Sequence, residues 1–85
     1  MTENNVLAKI RNIIKQHGRL SKEVDGLADV ADMYQVGMTS HASVNVMLAL
    51  EGEFDIEFPD HMLRRDVFAS MIAMSLAIQE LLQRV

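Results

Sequence analysis

The chain has no cysteine, which excludes disulfides, thiolate nucleophiles and zinc sites of the cysteine type, and leaves the redox compartment open. It has a single proline and four glycines, so little interrupts regular structure. No apolar run approaches the roughly 18 residues that a bilayer-crossing helix needs, and no basic flank precedes an apolar stretch at the N-terminus. Basic charge is also short, with 8 Lys and Arg against 12 Asp and Glu, for a formal net charge of −4. Phosphate backbones need clustered cations, so the charge argues against a nucleic-acid partner, whereas an acidic surface suits basic patches on partner proteins. The expectation is a soluble cytoplasmic protein, monomeric, with no membrane and no nucleic acid among its partners.

What is present is a short chain rich in helix formers. Eighty-five residues suffice for one domain spanning 1–85, and a chain of this size buries only about 60 to 65% of its unfolded surface. Deep pockets with elaborate catalytic machinery are not expected, and an enzyme is not the reading. With 49% hydrophobic residues and seven methionines, which form helices well and fill irregular gaps, composition favours an ordered all-α domain.

Apolar residues recur at three and four in Val6, Leu7, Ile10, Ile13 and Ile14, which predicts a first helix with Asn4 or Asn5 as its cap and Gly18 as a left-handed stop. From Leu20 to Met38 periodicity is poor, and the segment reads as a long ordered loop anchored by Val24, Leu27, Val30, Ala31 and Tyr34. A second helix is expected from Ser40 to Phe54, with Val44, Met47, Leu48 and Phe54 on the buried face and Val46 and Leu50 partly exposed. Phe58-Pro59-Asp60 breaks the pattern, and a short third helix is expected at about Asp60 to Leu63, beside the adjacent basic pair Arg64-Arg65. The last helix is expected from Ser70 to Arg84 on Met71, Met74, Ile78 and Leu81, widened by Ile72, Leu76 and Leu82, with Arg84 at its C-terminal end.

Chemistry concentrates at Ser40, in the run Gly37-Met38-Thr39-Ser40-His41-Ala42-Ser43-Val44, where a hydroxyl sits at a helix start. Unpaired N–H groups and the positive end of the macrodipole favour a phosphate there. The helix leaves through Glu53-Phe54-Asp55-Ile56-Glu57-Phe58-Pro59-Asp60. A glycine three residues before a helix-start serine, an amphipathic helix and this acidic-aromatic exit resemble, in that order, the acyl carrier protein family over residues 27 to 80. The resemblance implies a four-helix bundle with a long loop between helices 1 and 2 and a short helix 3. It also implies 4'-phosphopantetheine attached to Ser40 by a separate phosphopantetheinyl transferase, flanked by Thr39 and His41, with the cargo held as a thioester. An acyl or aminoacyl ligase and downstream transferases would be the other partners.

The family usually has Asp-Ser-Leu where this chain has Thr39-Ser40-His41, and no carboxylate occurs from His41 to Met47. Ordinary fatty-acid carriers dock enzymes through acids on this helix, so the resemblance implies different partners and a specialised role outside bulk fatty-acid synthesis. Ser40-His41-Ala42-Ser43-Val44 and the run from Phe58 to Ser70 are similar to small stand-alone carriers loaded by aminoacyl carrier protein ligases, relatives of seryl-tRNA synthetase.

Plainer roles stand beside these. Ser40 alone would be a helix cap, a role Thr39 could fill instead while Ser40 is modified. His41 could meet the arm's phosphate or simply face solvent, and the three histidines lack metal-ligand spacing, so no metal is assigned. Phe54, Phe58 and Phe68 read as core, with the lining of a cavity that shelters the cargo as the other role for some of them. Met38, Val44, Met47, Met62, Arg64 and Arg65 are the candidate docking residues, with gap filling as the other role for the methionines. An unmodified helical interaction module is the alternative to a carrier.

Overall fold

The computed structural model describes residues 2–21 and 23–83, and Arg84 lies outside them. Three α-helices carry the fold: α1 (Thr2–His17), α2 (Ser40–Phe54) and α3 (Met71–Gln83). None is long and apolar enough to cross a membrane. α1 packs against both α2 and α3. Its stripe of Val6, Ile10, Ile13 and Ile14 is buried against Met71, Met74 and Ile78 of α3 and against α2. α1 already begins at Thr2, so Asn4 and Asn5 fall within the helix rather than at its cap. Gly18 ends it, though not by left-handed geometry, since Arg19 takes the positive φ of 54°. The glycine is needed for close approach, because a Cβ there would come within 2.8 Å of the Ile14 carbonyl oxygen.

Between α1 and α2 the only helical element among the described residues is one 3-10 turn at Val24–Gly26. Arg11 holds this segment to α1. Its guanidinium donates to the carbonyls of Val24 and Leu27 at 2.8 and 2.6 Å and to Asp29 Oδ1 at 2.9 Å. Further on, the N–H of Met33 donates to the Ala69 carbonyl at 2.6 Å and that of Ile72 to the Asp29 carbonyl at 3.0 Å, which ties the segment to the start of α3. Val24 and Met33 are the buried anchors, whereas Val30, expected among them, is 73% exposed.

Two sequence expectations are corrected by the packing. α2 buries Ala42, Val46 and Leu50, while Val44 and Leu48, expected to be buried, are 49% and 54% exposed; of the expected buried face only Met47 and Phe54 pack, half-buried, against the core. Residues 42, 46 and 50 lie one above the other on a helix, and positions 44 and 48 fall about 200° round from them. Both sets are apolar, so either would satisfy the pattern. In place of a short third helix, two 3-10 turns stand at Asp60–Met62 and Arg65–Val67. In α3, Leu81 is only half-buried, Ile72 likewise, and Leu76 and Leu82 are exposed.

Candidate functional site

The start of α2 is built by Thr39. Its extended backbone, with φ −84° and ψ 167°, lets its side-chain oxygen accept from the Ala42 N–H at 3.0 Å. The Ser43 N–H closes the first turn on the Thr39 carbonyl at 2.9 Å, and the Ser43 hydroxyl donates to the Ser40 carbonyl at 2.7 Å. The remaining first-turn N–H groups, those of Ser40 and His41, have no intrahelical acceptor. Ser40 is thus the first helical residue, exposed, beside a cap made by its neighbour, and the first turn contains no acidic residue to repel an anion.

Upstream, Gly37 at φ +113° turns the chain into this cap, and a Cβ there would meet the Ser21 nitrogen at 3.0 Å. The Ser21 N–H and hydroxyl both donate to the Val36 carbonyl, which fixes the approach. Downstream, Asp55 in the left-handed region caps the C-terminus of α2, and Glu51 Oε2 accepts from the Phe58 N–H at 2.9 Å. Phe58 then meets Phe68 edge-on, ring centroids 5.3 Å apart, so the chain after α2 folds back along it.

That return creates an open groove of about 380 Å³ beside Ser40. Ser40, Ser43, Val44 and Met47 line one wall, Leu63, Arg64, Arg65 and Phe68 another, and Tyr34 contributes from the segment before α2. The two arginines differ. Arg64 is engaged by Asp66 through two hydrogen bonds, Nε to Oδ1 at 3.2 Å and Nη2 to Oδ2 at 2.7 Å. Hydrogen bonding from Arg64 holds the Asp66 carboxyl below its ordinary range, and the same bond raises Arg64. The Arg65 guanidinium instead lies over the Tyr34 ring, 3.9 Å from its centroid.

Of the sequence-predicted residues, Ser40, Val44, Met47, Arg64 and Arg65 come together around the groove. Thr39 caps the helix, and His41 is exposed but does not line the groove. Met38 and Met62 do not join it as docking residues: they are buried at 3% and 7% exposure within the core, as gap fillers. The sequence offers no sign of Tyr34 and Leu63 as groove residues, while Phe68, expected in the core or lining a cavity, is buried and also lines the groove. The fold-back of residues 55–70 brings Leu63 and Phe68 beside Ser40, and the segment before α2 brings Tyr34. Among the described residues no cluster of His, Asp or Glu is arranged to hold a metal ion.

No family model matches the chain. A curated relative, the aminoacyl carrier protein of Agrobacterium fabrum (strain C58), is 52% identical over 66 residues, which cover 78% of this chain and 80% of the relative. Among solved structures, a similar chain occurs in the crystal structure of an engineered Bradyrhizobium japonicum glycine:[carrier protein] ligase complexed with carrier protein from Agrobacterium tumefaciens and AMP. It superposes with a TM-score of 0.84 at 46% identity over 86% of this chain and 97% of that one. A second, with a TM-score of 0.66 at 25% identity, covers 91% and 99%, and comes from the Bradyrhizobium japonicum ligase complexed with glycylated carrier protein.

Proposed function

Because the chain belongs to the aminoacyl carrier protein family, we propose that Ser40 carries 4'-phosphopantetheine and that the protein holds an amino acid for partner enzymes rather than acting as an enzyme itself. The observation that carries this reading is the exposed hydroxyl of Ser40 at the mouth of α2, with capping assigned to Thr39 and no acid in the first turn. The residues fit the group. A phosphate on Ser40 meets helix N–H groups and no carboxylate of that turn. When bound, the arm supplies the thiol that a chain without cysteine lacks, and so a thioester to hold the cargo.

The chain's own residues position and present. Ser40 needs no neighbouring base, since a separate phosphopantetheinyl transferase makes the bond. Val44, Met47, Arg64 and Arg65 offer docking contacts beside the attachment point. The two 3-10 turns take the place of the short third helix of a four-helix carrier bundle spanning 1–85, and the anchored segment before α2 takes that of its long first loop. The ligases bound to the similar chains are glycine:[carrier protein] ligases, and we read a ligase of that class as the loading partner, with a small amino acid as cargo. Downstream transferases then consume the thioester. A monomer working in the cytoplasm completes the reading.

Intact mass spectrometry after co-expression with phosphopantetheinyl transferases tests it. One phosphopantetheine is expected on the wild-type chain and none on Ser40→Ala. A gain that survives Ser40→Ala, or no gain with any of several transferases, overturns the proposal. Incubating the loaded form with a glycine ligase and ATP then tests the cargo class.

A further inference from the structure

Arginine next to a groove is usually neutralised by a carboxylate, and Arg64 follows that rule. Arg65 does not. Among the described residues it is in no ion pair, and its guanidinium carbon lies over the Tyr34 ring, 3.9 Å from the centroid. A cation–π contact holds the guanidinium at the ring without a carboxylate partner, so its N–H donors remain for an oxyanion. Tyr34 and Arg65 line the same groove as Ser40. Asp66, the neighbour of Arg65, is held by Arg64, the first turn of α2 has no carboxylate, and Asp32, beside Tyr34, accepts from the Tyr34 N–H.

Resting on the carrier reading of Ser40, we propose that Arg65, held by Tyr34, binds the phosphodiester of the arm attached at Ser40 and so sets the direction in which the arm leaves the protein. Arg65 is a positioning residue; it takes no part in bond making. The tether makes a single ion pair sufficient, because attachment raises the phosphate to an effective concentration on the order of millimolar at the groove. A pair at this exposed site weakens as salt rises, through screening. Tyr34 belongs to the segment anchored by Arg11 and Arg65 to the return after α2, so the contact joins both sides of the groove mouth at the attachment point.

NMR on the apo and arm-bearing wild-type protein provides the test, with Arg65→Met and Arg65→Lys as variants. Arm attachment should shift the Arg65 Nε–Hε resonance in the wild type, and the phosphodiester ³¹P resonance should differ between wild type and Arg65→Met. Both effects should fade at high salt and be partly retained in Arg65→Lys. Arg65 is exposed, so a fold close to wild type is expected, and circular dichroism confirms it for each variant. If Ser40 is modified and neither resonance responds, this inference fails while the carrier reading stands. If Ser40 is never modified, the carrier reading fails first. Inorganic phosphate added to the apo protein separates the sources: a shift of Arg65 with free phosphate but none on arm attachment overturns the proposal.

Discussion

α2 has two sides made from the same kinds of residue and put to opposite uses. On one, Ala42, Val46 and Leu50 are almost wholly excluded from water. On the other, Val44 and Leu48 are about half exposed, and Val44 and Met47 form one wall of the groove at Ser40. The helix is apolar nearly all round, which a helix with only one buried face does not require. Burial on one side supplies stability, and the uncovered side is the surface that the proposed carrier role would offer to partners. The segments on either side of α2 differ in a similar way. Before α2 the chain is pinned by three donations from Arg11, whereas after it the arginines face the groove.

The sharpest way to break this comparison is a matched pair of truncations. Leu50→Ala should destabilise the protein by about 2–5 kcal/mol, because it removes buried methylenes and leaves a cavity, while Leu48→Ala should stay within about 0.5 kcal/mol of wild type in urea unfolding. Equal losses would mean that the two faces are misassigned. Next in size is Arg11→Met, which keeps the aliphatic stem but removes the donors to Val24, Leu27 and Asp29. A loss of about 1–3 kcal/mol is expected, at the lower end where solvent replaces the bonds, with faster amide exchange at Met33 and Ile72.

Thr39→Ala should cost about 1 kcal/mol through loss of the cap on the Ala42 N–H, and should slow arm attachment by fraying the turn that presents Ser40. Thr39→Ser, which keeps the oxygen, should restore both. The smallest effect is expected at the groove rim. Arg64 holds the Asp66 carboxyl below its ordinary value, so the stability of that pair is complete above the usual aspartate pKa of about 3.9 and is lost as pH falls through the lowered value. Both groups are fully exposed. Asp66→Asn should therefore leave the melting temperature near neutral pH almost unchanged, and acid titration by NMR should lose one carboxylate that titrates at unusually low pH.

Much of the site was legible in the sequence because it is local. A helix start after Thr39, with Ser40 as its first residue, involves contacts no more than a few residues apart, although the glycine turn before it is also held by Ser21. The stripe of α1 was readable for a similar reason, since its apolar residues occupy a single face. Gly18 was read as a stop and is one, but the left-handed residue is Arg19, because the glycine is needed where the chain passes the Ile14 carbonyl. Leu63 gave no signal as a groove residue, being far from Ser40 along the chain, and Tyr34, though near, lies in a segment without periodicity to say which way it faces. Met38 and Met62, candidates for docking by residue type, were drawn into the core.

The sequence by itself determined that this protein is helical, acidic and without a thiol of its own, and that Ser40 sits at a helix start. These are properties of composition and of neighbours within a turn or two of helix. Which way α2 is rotated, and therefore which of its apolar faces meets solvent, only the tertiary structure decided. With residues 42, 46 and 50 and residues 44 and 48 both apolar, helical periodicity is satisfied by either face. The choice was made by α1 packing against α2, and by the return of residues 55–70 that builds the groove beside Ser40.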